Sequence, residues 1–190
     1  MNLPNKLTLL RICLVPFMAV FFFINYDWCM WAAAAIFIVA AITDIIDGNY
    51  ARKHDICTDF GRLMDPIADK ILTNTAFILV ISCGRFQFSE LERMILAICV
   101  IIFIAREFVI SGFRLVAAGK GLVMAAGKLG KAKTTLQCIA AVSLMLGNPV
   151  FNLIGLRFDI IVTVIAAILS VVSCVDYLVR NKGVIDMSSK

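Results

Sequence analysis

Residues 29–54 read CMWAAAAIFIVAAITDIIDGNYARKH, an apolar run that passes directly into a charged segment. The apolar part, residues 29–43, is shorter than the ~20 residues of a helix that spans a membrane. The charged part, residues 44–54, also has a helical pattern. We therefore interpret the whole segment as one helix that crosses the membrane and extends beyond it into water.

The rest of the chain has the same apolar character. Of its 190 residues 62% are hydrophobic, whereas roughly half are expected in a soluble domain. Further apolar stretches lie near residues 7–25, 71–83, 94–105, 135–154 and 158–179. The stretch 94–105, like the one at 29–43, continues into a charged segment, residues 106–118. No alternating ten-residue pattern recurs, so we predict one all-α domain, residues 1–190, with six transmembrane helices.

The basic residues predict how the bundle is oriented. If the helices run up and down, only Arg85, Arg93 and Arg157 of the 18 Lys and Arg residues fall on the far side. Positive charge accumulates on the cytoplasmic side of membrane proteins, so we place both termini in the cytoplasm and the protein in the cell membrane. The net charge of +5 then suits anionic lipids or phosphorylated substrates. We do not predict nucleic-acid binding, because the basic residues form no continuous stripe with exposed aromatic residues.

The seven cysteines are scattered singly, without a CxxC motif or a histidine at ligand spacing. We predict free thiols that serve as small apolar packing residues, and neither disulfides nor a thiolate metal site. A metal ion in this protein would therefore need oxygen ligands.

Four aspartates flank the turn after the second helix, at positions 44, 47, 65 and 69. Each pair is three or four residues apart and so shares one helix face, and two neighbouring antiparallel helices can direct all four at one place. Like charges held that close are unfavourable unless a cation compensates them. Carboxylate ligands without His or thiolate favour Mg²⁺ or Mn²⁺, and two ions would suit four carboxylates and displacement at phosphorus.

The simplest alternative is that these aspartates are helix caps or solvated charges. Asp55 and Asp59 have the same spacing as Asp65 and Asp69, and we assign them no role. The complete pattern is longer, however: it reads Asp-x2-Asp-Gly-x2-Ala-Arg-x8-Gly-x3-Asp-x3-Asp, with eight fixed positions in 26 residues. Chance is a poor explanation for a pattern of that length.

This pattern resembles the signature of the CDP-alcohol phosphotransferases, integral membrane enzymes of phospholipid synthesis. The resemblance implies six transmembrane helices, a homodimer, and the displacement of CMP by an alcohol. It also implies that Asp44, Asp47, Asp65 and Asp69 bind the metal ions and that Asp69 is the general base for the acceptor hydroxyl.

The resemblance further implies that the nucleotide of the donor lies against the aspartate face of the second helix. Gly48 and Ala51 have almost no side chain there, so a cytosine or a diphosphate can approach the backbone closely. The alternative for both residues is ordinary small-residue helix packing. Arg52 could clamp the diphosphate or serve as a membrane anchor. The expected donor-binding residues are Gly48, Ala51, Arg52, Gly61, Thr8 and Arg11.

Other segments resemble those family members that use CDP-diacylglycerol as donor and sn-glycerol 3-phosphate as acceptor; these segments are residues 2–11, 60–70, 106–114 and 130–134. A dianionic acceptor needs cations, because carboxylates alone would repel it. Arg106 and Arg114 are eight residues apart on roughly one helix face, and Lys131 and Lys133 begin the next helix. We expect these four residues to bind the acceptor phosphate, although the two lysines could be a topogenic charge cluster.

The sequence is also compatible with two other functions. The same chemistry could serve another acceptor, namely inositol phosphate, serine or phosphatidylglycerol, and the four cations argue only against an uncharged small alcohol. A divalent-cation transporter would place its carboxylates near the middle of the bilayer, often between internal repeats. Here they flank a cytoplasmic turn, and no repeat is visible.

Overall fold

The computed structural model describes residues 3–24, 26–54, 59–122, 127–148 and 155–184, without the side chains of residues 3–5, 27, 45–54, 59–63, 65, 128 and 184. This part of the chain is all-α, as predicted. Its helices are α1 (Leu3–Phe23), α2 (Asp27–His54), α3 (Asp59–Ser82), α4 (Glu90–Gly119), α5 (Lys128–Met145) and α6 (Phe158–Arg180), followed by a 3₁₀ turn at Lys182–Val184.

The two long helices confirm the prediction that apolar and charged segments are continuous. α2 has 28 residues and α4 has 30, so each carries its apolar run and its charged extension in one piece. The start of α4 is fixed by a capping box, in which Ser89 and Glu92 satisfy each other's backbone N–H groups. Because α2 includes positions 44 and 47 and α3 includes positions 65 and 69, both aspartate pairs lie on helices.

The fifth helix differs from the predicted stretch 135–154. α5 begins at Lys128 and ends at Met145, because the backbone turns left-handed directly after it. Gly147 and Asn148 have φ angles of 67° and 60°, a conformation that ends a helix. The basic residues at the start of α5 are therefore part of the helix and have fixed faces.

Contacts between helices give the chain an up-and-down course. In the pair α1–α2, Arg11 lies beside Asp44, whereas Phe21 lies against Trp28. In the pair α3–α4, Asn74 bonds to Glu107. α6 packs against α4 and α5. The starts of α1, α3 and α5 and the ends of α2, α4 and α6 therefore share one end of the bundle, which we call the site end.

The opposite end holds the three arginines that the sequence analysis separated from the other basic residues. Arg85 donates to the Ile24 carbonyl over 3.1 Å, and Arg93 donates to the Ile81 carbonyl. Arg157 pairs with Glu92 over 2.6 Å. The charge difference between the two ends is therefore a property of the fold, while the side of the membrane that each end faces stays a prediction.

Among the residues that the structure describes, three helices are long and apolar enough to cross a membrane, namely α1 from Lys6, α4 and α6. The apolar part of α2, Trp28–Asp44, is shorter. The finding supports a multi-pass membrane protein, while the count of six spans stays a prediction. The six cysteines that the structure describes are free, and Cys57 lies outside the described residues.

Candidate active site

A cavity of about 540 Å³ lies at the site end among α3, α4, α5 and α6; we call it the first cavity. Asp69 lines it from α3, Arg106 and Arg114 from α4, and Lys133 from α5. The fold thus brings three of the four predicted acceptor cations together with the predicted general base. Arg106 and Arg114 are on one helix face, as their spacing predicted.

Two residues of α6 hold the arginines in place. Arg106 Nη2 donates to Ser173 Oγ over 3.4 Å, while its buried Nε has no hydrogen-bond partner among the described residues. Arg114 Nε donates to the Tyr177 hydroxyl over 3.3 Å, and its guanidinium lies 5.5 Å from the centre of that ring. Both guanidinium groups are oriented and keep donors for an anion.

Lys133 is fixed by Glu107, a carboxylate of α4. The Lys133 side chain is only 2% exposed, and its Nζ donates to Glu107 Oε1 over 3.0 Å. The other carboxylate oxygen of Glu107 accepts from Asn74 Nδ2 over 3.2 Å. Glu107 therefore compensates a buried ammonium and links α4 to α5 and α3.

A second cavity, of about 640 Å³, lies between α2 and α5. Asp44 and Asp69 line its polar end, and the remaining wall is mostly apolar, with Phe37, Ile38 and Ile139 among its residues. Asp69 lines both cavities. The predicted base therefore stands where a polar, cationic cavity meets an apolar one.

The electrostatic surroundings of Asp69 contain both signs of charge. This residue precedes the apolar stretch that begins at Ile71. The pKa of its carboxyl group is raised to about 6, mainly by desolvation and further by the charges of Asp44 and Glu107, while Arg11 and Lys133 oppose the rise. The negative form of Asp69 therefore lacks full compensation from the protein itself.

Arg11 contributes a buried cation beside Asp44. The residue is 1% exposed, its Nη1 lies 2.6 Å from Asp44 Oδ1, and its Nε donates to the Ala40 carbonyl over 3.3 Å. Arg11 thus ties α1 to α2 at the polar end of the second cavity. Its predicted contact with donor phosphates, like that of the buried Thr8, stays a prediction.

Of the four predicted metal ligands, the structure describes the side chains of Asp44 and Asp69. Among the described residues, no three His, Cys, Asp or Glu side chains are grouped so that they could hold a metal ion. The two described carboxylates nevertheless fit a hard divalent ion, because they offer oxygen ligands and act on each other as like charges. The remaining predicted residues lie on α2 and α3 with side chains outside the described set: Asp47, Gly48, Ala51, Arg52, Gly61 and Asp65.

Lys131 lies apart from the other predicted acceptor residues. It lines the second cavity, whereas Lys133 lines the first. Residues two apart on an α-helix point in directions that differ by roughly 200°, so the two lysines cannot serve one cavity from the same helix. The structure therefore places Lys131 on the side of the apolar cavity.

Comparison with known proteins identifies the family. The sequence model of the CDP-alcohol phosphatidyltransferase family matches residues 1–175. The CDP-diacylglycerol–glycerol-3-phosphate 3-phosphatidyltransferase of Bacillus subtilis (strain 168) is 40% identical over 192 residues, which cover 95% of each chain. The chain belongs to the CDP-alcohol phosphatidyltransferase family. Proteins of the same name from Rickettsia bellii (strain RML369-C) and Salmonella choleraesuis (strain SC-B67) are 36% and 35% identical, over 93% and 96% of each chain.

In this CDP-alcohol phosphatidyltransferase, several polar residues of the first cavity were missed by the sequence reasoning. Lys70 donates to Ser111 across the α3–α4 contact, and both line the cavity, as do Gln137, Ser173 and Tyr177. The signal was present, since a polar residue inside an apolar membrane segment marks a functional position by default. Asp176 forms a helix-end ion pair with Arg180, over 2.7 Å.

Replacing Glu107 tests its part in this site. The change Glu107→Ala leaves the Lys133 ammonium buried without its partner, and breaking a buried pair in this way costs about 3–5 kcal/mol. We expect a lower midpoint of thermal unfolding for the protein purified in detergent. Arg180→Ala is the matched control, because it removes an exposed ion pair worth about 0–1 kcal/mol. Equal midpoints for the two variants would contradict the role of Glu107.

Proposed function

We propose that the protein transfers the phosphatidyl group of CDP-diacylglycerol to sn-glycerol 3-phosphate, which yields phosphatidylglycerophosphate and CMP. One observation carries the proposal: Asp69 lines both the apolar cavity and the cationic cavity. A lipid donor and a phosphorylated, water-soluble acceptor require two such compartments that meet at a base. The names of the relatives from three bacteria describe the same donor and acceptor.

The second cavity suits the donor. Its apolar wall between α2 and α5 can accept acyl chains, and its polar end presents Asp44 and Asp69. The diphosphate would lie at that polar end, with the nucleotide against the α2 face that carries Gly48 and Ala51. Lys131, which lines the same cavity, is then close enough to the diphosphate to contribute charge on the donor side.

The first cavity suits the acceptor. Lys133 is a buried cation and Arg106 is half-buried, and Arg114 and Lys70 also line the cavity. A phosphate dianion in this cavity would receive charge-assisted hydrogen bonds, including one from the unpaired Nε of Arg106. These cations also offset the repulsion between the acceptor and the carboxylates.

The reaction is a displacement at phosphorus. The primary hydroxyl oxygen of the acceptor forms a bond to the phosphorus that bears diacylglycerol, and the bond from that phosphorus to the CMP oxygen breaks. Asp69 accepts the hydroxyl proton. Because water could attack in place of the acceptor, fixing the acceptor by its phosphate keeps its hydroxyl aligned and raises its effective concentration.

The proposal includes a divalent metal. Asp44, Asp47, Asp65 and Asp69 would hold two Mg²⁺ or Mn²⁺ ions, which supply positive charge to the diphosphate and the leaving group. It also includes six membrane spans, a homodimer, and a site end that faces the cytoplasm with both termini. The concentration of Lys and Arg at the site end supports that orientation.

The acceptor can be tested with purified protein, CDP-diacylglycerol, Mg²⁺ or Mn²⁺, and one alcohol at a time. We expect CMP release and a new lipid with sn-glycerol 3-phosphate, since four cations line the first cavity and the names of the relatives describe this acceptor. We expect much less of both with serine, which has no phosphate for these cations, and with inositol phosphate or phosphatidylglycerol, which the names of the relatives do not describe. The measurement is CMP by chromatography and the lipid by mass spectrometry. Release with another alcohol alone would overturn the acceptor and keep the chemistry of the family.

The base can be tested by the change Asp69→Asn, which keeps the size of the side chain and removes its ability to take a proton. We expect turnover to fall by about 10²-fold or more, with CDP-diacylglycerol binding largely kept. Glu90→Gln is the matched control, because Glu90 is an exposed carboxylate at the far end of α4. A near-normal rate for Asp69→Asn would contradict the assignment.

A further inference from the structure

Gln137 is a buried polar residue that the proposed chemistry does not yet use. It lies on α5 within the apolar stretch that begins at residue 135, and it is 1% exposed. Its amide Nε2 has no hydrogen-bond partner among the described residues. The side chain also lines the first cavity.

An unpaired amide in such a position is unusual. Buried polar groups in proteins are nearly always hydrogen-bonded, and leaving one unpaired costs about 1–3 kcal/mol. Because Gln137 lines a cavity, its partner can be a molecule that the cavity admits. The cavity that it lines is the one assigned to the acceptor.

The position of Gln137 on α5 connects it with the acceptor-binding cation. Lys133 is four residues earlier, so the two side chains lie on the same helix face, one turn apart. Lys133 is one of the four cations that line this cavity, and a phosphate binds best to such charged donors. We therefore expect the uncharged amide of Gln137 to form a hydrogen bond with an uncharged group of the same molecule.

Glycerol 3-phosphate offers one such group. Its phosphate is bound by the cations and its primary hydroxyl is the nucleophile beside Asp69, which leaves the secondary hydroxyl. A hydroxyl both donates and accepts hydrogen bonds, so it satisfies the amide in either of its two orientations.

We propose that Gln137 binds the secondary hydroxyl of the acceptor and makes the enzyme select acceptors that carry this group. The inference rests on the proposed function and deepens it, because it names the residue that recognises the glycerol carbon chain. Gln137 is in this sense a specificity-determining residue.

The experiment compares two acceptors in two proteins. Glycerol 3-phosphate carries the secondary hydroxyl, and 3-hydroxypropyl phosphate lacks it and keeps the primary hydroxyl and the phosphate. The wild type should prefer glycerol 3-phosphate by about tenfold or more in kcat/KM, because the analogue leaves the amide unpaired. Gln137→Met, of similar length and without hydrogen-bonding atoms, should lose this preference.

The direction of the change separates recognition from a structural role. If Gln137 recognises the hydroxyl, Gln137→Met lowers kcat/KM for glycerol 3-phosphate about tenfold and leaves the value for 3-hydroxypropyl phosphate nearly unchanged. An equal loss for both acceptors, or a preference that survives the substitution, overturns the inference. Gln137→Leu provides a second apolar variant should the first fail to fold.

The wild type alone distinguishes failure of the inference from failure of the proposed function. A wild type that uses both acceptors equally overturns only the role of Gln137. A wild type that uses neither acceptor but releases CMP with another alcohol overturns the proposed acceptor together with the inference.

Discussion

Charge inside an apolar helical bundle must be compensated where it lies, and the arrangement at the site end follows from this constraint. Arg11 pairs with Asp44, and Lys133 pairs with Glu107. These contacts join α1 to α2 and α4 to α5, so the charges that the site needs also hold its walls together. The groups left over are informative: the Nε of Arg106 and the amide of Gln137 are buried without a partner among the described residues, and both residues line the first cavity.

Because the helices run up and down, the site end contains two cavities of different polarity. α2 and α5 enclose an apolar cavity, and α3 to α6 enclose a cationic one, with Asp69 on the wall of both. A membrane lipid and a soluble phosphate have opposite solvent preferences, so a reaction between them requires a boundary of this kind. The aspartate is at that boundary because α3 contacts both α4 and α5.

Much of this arrangement could be predicted from residue spacing, because spacing fixes which residues share a helix face. The lengths of α2 and α4, the helical position of the aspartates, and the grouping of Arg106 with Arg114 are of this type. The end of α5 could not be predicted from hydropathy, since the apolar run continues past the left-handed turn at Gly147 and Asn148. Lys131 and Lys133 were grouped by proximity in sequence, although residues two apart on a helix face different ways. The partner of Glu107 and the unpaired amide of Gln137 depend on contacts between distant helices, which no local pattern contains.

The central claim is that one molecule of glycerol 3-phosphate bridges the cations and Asp69. It is tested most directly by a crystal structure of the protein in lipid with glycerol 3-phosphate and Mn²⁺, in which anomalous scattering locates the metal. The account predicts the phosphate within hydrogen-bonding distance of Arg106 and Lys133, the primary hydroxyl beside Asp69, and Mn²⁺ at the aspartates. Glycerol 3-phosphate bound outside the first cavity, with its phosphate away from Arg106 and Lys133, would contradict it.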